Sequence, residues 1–257
     1  MSATRVTHGP AGAAAGATGN GVPVRRSAMA GLAARLGATW LDDATHWAAD
    51  YGDVSAEIAA ATSACVVADW GPTDKLAVKG PNGRRVLGDL GIGAALGETS
   101  SGSLDTVALR LWALAPDETL LILAADKTPT GAAAAAVIAA IESAGATVTN
   151  LSSGLAGMRV VGPAARDLLI EVCALDLDAD RFADGRIAMA PIANVRVTLT
   201  RRDLKDIPAF ELLVARDQAA YLFEALLHAG AVHGAIPAGQ RAIDALAGSA
   251  LTGGVGW

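Results

Sequence analysis

The chain has 257 residues, a formal net charge of −6, 52% hydrophobic residues and 18% charged residues. A chain of this length and composition folds and buries one large core or two small ones. Its negative charge, without a cluster of Lys and Arg, argues against nucleic acid as a partner. No apolar run reaches the ~18 residues that a membrane span needs, so we expect no membrane contact.

Both cysteines, Cys65 and Cys173, stand among apolar neighbours. This context is typical of buried structural thiols in a reducing compartment, and we expect a cytoplasmic protein. A disulfide between the two remains open at this level. The sequence has no CxxC pair and no Cys/His ligand spacing, so it predicts no metal site.

The first 26 residues are rich in Ala and Gly and show no apolar periodicity. They have neither the basic start nor the apolar core of a secretory signal. We therefore predict that residues 1–27 form a disordered tail or, in part, a docking arm.

A short motif occurs twice, at Leu76–Asp89 (LAVKGPNGRRVLGD) and at Met158–Glu171 (MRVVGPAARDLLIE). In both copies an apolar run typical of a buried strand precedes Gly-Pro, and an amphipathic run typical of a helix follows. Gly80 and Gly162 let the backbone turn, and the proline after each glycine suits the first helical position. The repeat predicts that the two halves of the chain share one local fold.

Each copy is followed by two strand-like runs and a helix-like run, and the chain closes on one more helix. The first half has strands at Asp105–Ala113 and Glu118–Ala125 and a helix at Gly131–Ser143, whereas the second has strands at Asn194–Thr200 and Ala209–Ala215 and helices at Asp217–Ala229 and Pro237–Ala247. Each half therefore reads β-α-β-β-α. We predict an α+β fold in which two related units, residues 28–148 and 149–257, pack into one body.

Several segments resemble the folate-binding aminomethyltransferase family, which includes the T-protein of the glycine cleavage system. Glu57 in a helix-like segment, the run CVVAD at Cys65–Asp69 and the KGP step carry the resemblance in the first half. VGPAARDLL, AFELLV and PAGQRAIDALA carry it in the second half. Within the family the likeness is strongest to the gamma subunit of heterotetrameric sarcosine oxidase, through Pro208–Ala229. The resemblance implies the folate-binding domain of these proteins without the C-terminal β-barrel of the family's transferases.

The resemblance also implies a folate site. The family binds a reduced folate between its repeated units, with one carboxylate on the pteridine ring and an Asp near the reacting nitrogen. Glu211 stands at the position of that carboxylate, whose oxygens suit the adjacent N–H and NH₂ donors of the ring. Strand alternation places Glu211 and Leu213 on the face opposite Phe210, and the alternative is a strand Glu that faces solvent.

Asp105, in SGSLDT, matches the first Asp of the family's catalytic pair, and Thr106 stands at the second position. Asp105 is therefore the catalytic candidate, and the alternative is an ordinary Asp at a strand entrance. On the late helix the family's Asp is kept as Asp244, whereas Ile243 replaces its Arg. Arg241 is the candidate to substitute for that Arg from another helix face, so Arg241 and Asp244 join the predicted cofactor-binding residues.

Two functions fit these features. The first is a gamma-subunit-like component of a sarcosine-oxidase-type complex, in tetrahydrofolate-linked oxidative demethylation of N-methyl amines. Its partners would be flavoprotein oxidase subunits, which would hold the flavin. The second is a free-standing tetrahydrofolate-dependent aminomethyltransferase or methyltransferase. The altered positions around the expected folate site favour the first.

Overall fold

The structure is a computed structural model that describes residues 25–41, 45–123 and 131–248. The tail predicted for residues 1–27 lies almost wholly outside this range. Within the described residues no helix has the length and apolar character needed to cross a membrane.

The helices are α1 (Ala30–Arg35), α2 (Val54–Ser63), α3 (Gly83–Asp89), α4 (Ala132–Ser143), α5 (Ala165–Ile170), α6 (Ala219–Gly230) and α7 (Gln240–Ala247). The strands are β1 (Thr39–Trp40), β2 (Ala48–Asp50), β3 (Val66–Asp69), β4 (Lys75–Lys79), β5 (Thr99–Leu104), β6 (Val107–Ala115), β7 (Glu118–Leu123), β8 (Thr147–Asn150), β9 (Leu155–Val161), β10 (Ile187–Ile192), β11 (Val195–Arg201), β12 (Ala209–Ala215) and β13 (Ile236–Ala238).

Most of these strands form two sheets that reproduce the sequence repeat. The first sheet has the order β5-β6-β7-β4-β8, and the second has the order β10-β11-β12-β9-β3-β13. The run β4-α3-β5-β6-β7-α4 in one half corresponds to β9-α5-β10-β11-β12-α6 in the other. The predicted α+β fold with two related units is confirmed, and each repeat holds one further strand after its first helix, β5 in the first repeat and β10 in the second.

One strand from each half crosses to the other sheet. β3 directly precedes β4 in the chain but pairs with β9 of the second sheet, and β8 directly precedes β9 but pairs with β4 of the first. The two halves are therefore interleaved by backbone hydrogen bonds as well as by packing.

Helices cover the outer face of each sheet. Val86 of α3 and Leu121 of β7 belong to the core on the first sheet, together with residues of α4. Leu168 of α5 and Phe210 of β12 belong to the core on the second sheet, together with residues of α6. The layers run helix, sheet, sheet, helix, as expected for sheets that are apolar on both faces.

The inner face of the second sheet has two different covers. Trp70, Trp112, Ile122 and Leu213 belong to the cluster that fills the space between the sheets. Nearer the β3–β13 edge, the same face packs against α2 and α7 through a cluster that includes Ala209. Because Ala209 and Leu213 lie on one face of β12, the residue between them on that face, Glu211, lies where the two covers meet.

The repeated Gly-Pro turns differ in detail from the prediction. Gly80 and Gly162 adopt φ of 99° and 134°, so the predicted backbone turns are confirmed. The prolines after them lie in the turn, because α3 begins two residues later and α5 begins at Ala165. The predicted closing helix is also shorter, since residues 236–238 form β13 and α7 begins at Gln240.

The two cysteines are buried and free, so the disulfide that the sequence left open is not formed. Burial raises the pKa of the Cys65 thiol to about 11. A thiol of this kind is inert at neutral pH and fills space in the core.

Candidate functional site

Glu211 is at the centre of the second sheet and faces inward. Its strand neighbours Phe210 and Leu212 point into the core under α5 and α6, whereas Leu213 contacts the first sheet. Backbone pairing sets Glu211 beside Thr200 of β11 and beside Arg159 of β9. The alternation read from the sequence is therefore correct, and the solvent-facing alternative for Glu211 is wrong.

Two arginines engage the Glu211 carboxylate, which is only 2% exposed. Nη1 of Arg110, from β6 of the first sheet, donates to Oε2 at 2.5 Å. Nε of Arg159, from the neighbouring strand β9, donates to Oε1 at 3.1 Å. The first of these ion pairs joins the two sheets.

Trp70 provides an aromatic surface beside the same groups. The guanidinium carbon of Arg110 lies 4.7 Å from the centroid of the Trp70 ring, and that of Arg159 lies 5.4 Å from it. Trp112 stacks on Trp70 with a centroid distance of 6.0 Å. Contacts of a cation with an indole face are attractive, and more so in a site that excludes water. We call Trp70, Arg110, Trp112, Arg159 and Glu211 the inter-sheet cluster.

The charges of the inter-sheet cluster hold one another in the ionised state. Burial by itself would raise the pKa of Glu211, but the charges of Arg110 and Arg159 hold it below its usual value. Burial lowers the pKa of Arg110 to about 10, which leaves it cationic at neutral pH. The group is a buried carboxylate between two guanidinium groups, an arrangement that tolerates burial because its charges are paired.

Two further buried charged residues lie near Trp70 in the chain: Asp69 directly precedes it, and Lys75 follows five positions later. The carboxylate of Asp69 accepts the Ser27 hydroxyl and, at 2.8 Å, the N–H of Gly71. Burial raises the pKa of Asp69 and lowers that of Lys75 to about 8. Nζ of Lys75 donates to the carbonyl oxygen of Thr73 at 2.9 Å. Sequence reasoning missed Lys75.

The two predicted residues on α7 lie apart from the Glu211 carboxylate. Arg241 is exposed and pairs with Asp50, with 2.6 Å between Nη1 and Oδ2. Asp244 is half-buried and accepts Nε2 of Gln240 at 2.6 Å. Burial raises the pKa of Asp244, against the opposing effects of the Gln240 amide and the Arg159 charge. The charge of Arg159 thus acts on Asp244, whereas Arg241 is paired with Asp50.

Asp105 is at the tip of the β5–β6 hairpin. It is exposed and has a φ of 51°, in the left-handed region that Asp tolerates better than most residues. The predicted strand at Asp105–Ala113 in fact begins at Val107, so Asp105 belongs to the turn. Asp105 precedes Arg110 by five positions in the chain, which corresponds to roughly 16 Å at the usual rise of a strand. The structure does not bring Asp105 to Glu211.

The functional roles of Glu211, Asp105, Arg241 and Asp244 stay predictions. A sequence pattern could have identified the two arginines of the site. Arg110 and Arg159 each interrupt an otherwise apolar strand. A charge in such a run is buried only with a partner, which points to a carboxylate elsewhere in the core. Among the described residues no group of three or more His, Cys, Asp or Glu could hold a metal ion.

Comparison with known proteins extends these observations. The chain is 34% identical over 105 residues to the aminomethyltransferase of Halalkalibacterium halodurans, which is 40% of this chain and 28% of that protein. It is 34% identical over 95 residues to mitochondrial sarcosine dehydrogenase of Mus musculus, which is 37% of this chain and 10% of that protein. The matched segments thus cover less than a third of these two relatives.

Two solved structures share the fold. A chain of the heterotetrameric sarcosine oxidase from Corynebacterium sp. U-96 superposes with a TM-score of 0.60 and 25% identity, over 82% of this chain and 97% of that chain. Aminomethyltransferase T of the glycine cleavage system from Bartonella henselae superposes with a TM-score of 0.71 and 19% identity, over 87% of this chain and 62% of that one. The family model described as the GCVT N-terminal domain matches residues 32–249. With its two related α+β units and this match over most of its length, the chain belongs to the GCVT N-terminal domain family.

Proposed function

We propose that this chain is a gamma-subunit-like component of a sarcosine-oxidase-type complex. In such a complex, flavoprotein subunits would oxidise N-methyl amines, and the one-carbon unit would pass to tetrahydrofolate. This chain would support the assembly, while its partners would hold the flavins and the main folate site. We place the complex in the cytoplasm.

The observation that carries this proposal is the state of Glu211. Both of its oxygens accept hydrogen bonds from arginines of the same chain, in a cluster closed between two sheets. A carboxylate committed in this way is poorly disposed to hold a pteridine ring. The structural match to a chain of a heterotetrameric sarcosine oxidase, with 25% identity over 82% of this chain, also supports the proposal.

The test is reconstitution of the complex. The chain is co-expressed with flavoprotein oxidase subunits from the same organism, purified through a tag on this chain, and sized in solution. We expect a stoichiometric complex that contains flavin and consumes oxygen when N-methyl amines are added. A chain that stays monomeric in the presence of those subunits, with no change in their oxidase activity, contradicts the proposal.

A free-standing tetrahydrofolate-dependent aminomethyltransferase is the second candidate. The inward orientation of Glu211 and the sequence match to aminomethyltransferases favour it. Glu211 would hold the pteridine ring, Asp105 would act on the reacting nitrogen, and Arg241 and Asp244 would complete the folate site. In this case Glu211→Gln weakens tetrahydrofolate binding by about 1.5–3 kcal/mol. Calorimetric titration of both proteins decides, because identical titrations exclude this role for Glu211.

A further inference from the structure

The inter-sheet cluster has the chemistry of a binding site for a flat molecule. A carboxylate accepts two neighbouring donors as a pair, and an indole face attracts a planar, electron-poor group that lies over it. Glu211 supplies the carboxylate and Trp70 supplies the face. The same pair of groups recognises a guanidinium and a heterocycle with adjacent N–H and NH₂ donors, because both present planar donors.

Arg110 is the group that occupies this position. Arg159 belongs to the same sheet as Glu211 and lies beside it, so it forms part of the wall. Arg110 instead reaches Glu211 from the facing sheet, 101 residues away in the chain, and its guanidinium lies over Trp70. Its side chain is 1% exposed, so it fills the space in front of the carboxylate.

A further donor belongs to the same cluster. Trp112 is fully buried and stacks on Trp70, and its Nε1 has no hydrogen-bond acceptor among the described residues. A buried donor without an acceptor costs free energy, so its presence in a core needs a reason. A heterocycle with a ring carbonyl next to its N–H donors would offer an acceptor that a guanidinium lacks.

We propose that Arg110 is an internal occupant of a site built for a planar, donor-bearing heterocycle of the 2-amino-4-oxopyrimidine type. The guanidinium of Arg110 donates to the Glu211 carboxylate and lies over the Trp70 ring. The chain therefore retains both groups that would recognise the heterocycle, but Arg110 prevents an external ligand from reaching them. This inference rests on the proposed function, since it explains how a subunit of this fold leaves ligand binding to its partners. Its test needs no partner subunit, so the two can fail separately.

The experiment compares wild type with Arg110→Ala and with Arg201→Ala. Arg201 is a matched control because it is another strand arginine paired with a carboxylate, that of Asp203, outside the inter-sheet cluster. Two probes are used, methylguanidinium chloride and pterin. The readouts are the thermal unfolding midpoint, calorimetric titration and the quenching of tryptophan fluorescence.

We expect neither probe to bind wild type or Arg201→Ala. Arg110→Ala gains saturable binding of both probes, each raises its unfolding midpoint, and pterin quenches its fluorescence. Binding of pterin to wild type as tightly as to Arg110→Ala overturns the inference, because the site is then open. A folded Arg110→Ala that responds to both probes no more than Arg201→Ala also overturns it.

Arg110→Ala leaves a buried carboxylate with one partner fewer and could fail to fold. Arg110→Gln keeps a donor with a shorter side chain and is measured in parallel, with a smaller gain of binding expected. Should both variants be unfolded, refolding is repeated with low millimolar methylguanidinium. Recovery of the native circular dichroism spectrum supports the inference, and no recovery with either variant overturns it.

Discussion

The carboxylate of Glu57 accepts the backbone N–H of Gly239 at 2.9 Å and so ties α2 to the start of α7 across 182 residues of chain. Its other oxygen accepts the N–H of Tyr51 at 2.5 Å. A buried side chain thus satisfies two backbone donors that lie in separate segments. The resemblance read from the sequence included Glu57, and in the structure its carboxylate joins two separate segments of the chain.

Glu57→Ala tests this link. The change leaves two backbone N–H groups without an acceptor, and each costs about 1–3 kcal/mol when buried. We expect the free energy of unfolding in urea to fall by about 3 kcal/mol. Glu224→Ala is the control, because Glu224 pairs with Arg35 on the surface, where such pairs contribute about 0–1 kcal/mol. Equal losses in the two variants contradict the prediction.

The two repeated glycines are expected to differ in their tolerance of alanine. Both have positive φ, so a side chain strains the backbone at either position. A Cβ at Gly80 meets no atom within 4 Å, whereas one at Gly162 lies 2.7 Å from Cα of Cys65. We expect Gly162→Ala to lower the free energy of unfolding by about 3 kcal/mol and Gly80→Ala by about 1 kcal/mol. Chemical denaturation of both variants checks the order, and a larger loss at Gly80 refutes it.

Lys75 gives the stability a dependence on alkaline pH. Burial lowers its pKa from 10.5 to about 8, so between these values the unfolded chain binds a proton that the folded chain does not. The contribution of Lys75 to stability therefore rises between pH 8 and 10.5, and at lower pH its burial costs about 3 kcal/mol.

Lys75→Met removes that dependence. We expect the variant to gain stability relative to wild type at pH 7 and to lose this advantage by pH 10. The difference between the two proteins is the quantity to measure, because Cys65 and Tyr51 have raised pKa values and act in the opposite direction in both. A difference that stays constant from pH 7 to 10 shows that the pKa of Lys75 is not lowered.

Glu211 makes the stability depend on pH in the acid range. Its pKa lies below the usual 4.5, so the stability it contributes is complete above that value and is lost as the pH falls further, through the folded pKa. We expect Glu211→Gln to cost about 3–5 kcal/mol at pH 7, because two buried guanidinium groups lose their counter-charge. Urea unfolding at pH 3 to 7 should show this gap narrowing below pH 4.5. Glu118→Gln, at the exposed pair with Lys79, should show no such gap.

Asp105 offers a test of the hairpin turn. Its φ of 51° suits Gly and Asn and disfavours residues branched at Cβ. We expect Asp105→Gly to leave the unfolding midpoint within a degree or so of wild type and Asp105→Val to lower the free energy of unfolding by about 1–2 kcal/mol. A neutral Asp105→Val would mean that the turn is not held in the left-handed conformation.

The local sequence predicted correctly the elements with a clear motif or a clear alternation of apolar and polar residues. The repeated Gly-Pro motif gave the two related units, and alternation in β12 gave the inward direction of Glu211. β5 and β10 were missed because TSSGSL and IAMAPI lack a clear alternation of apolar and polar residues, and Pro191 cannot donate to a strand ladder. These strands exist because the neighbours β6 and β11 present free edges, which is a tertiary cause.

The candidate site was predictable only in part. Glu211 was found through a family likeness, but its partners Arg110 and Arg159 were not. An arginine within an apolar strand indicates that a carboxylate lies near it in the core. The local sequence does not identify that carboxylate, because Arg110 and Glu211 are 101 residues apart in the chain. Asp105 was chosen as the catalytic candidate through the same family resemblance, but it lies at the tip of a hairpin, away from the inter-sheet cluster.

The sequence by itself determined the internal repeat, the alternation of buried faces and the glycine turns, because each depends on residues near one another in the chain. Tertiary structure alone decided that β3 and β8 exchange between the sheets and that Glu211 meets Arg110. The physical reason is burial. The two sheets pack through apolar faces, and a carboxylate buried between them is stable only when it pairs with cationic side chains that the same packing places beside it.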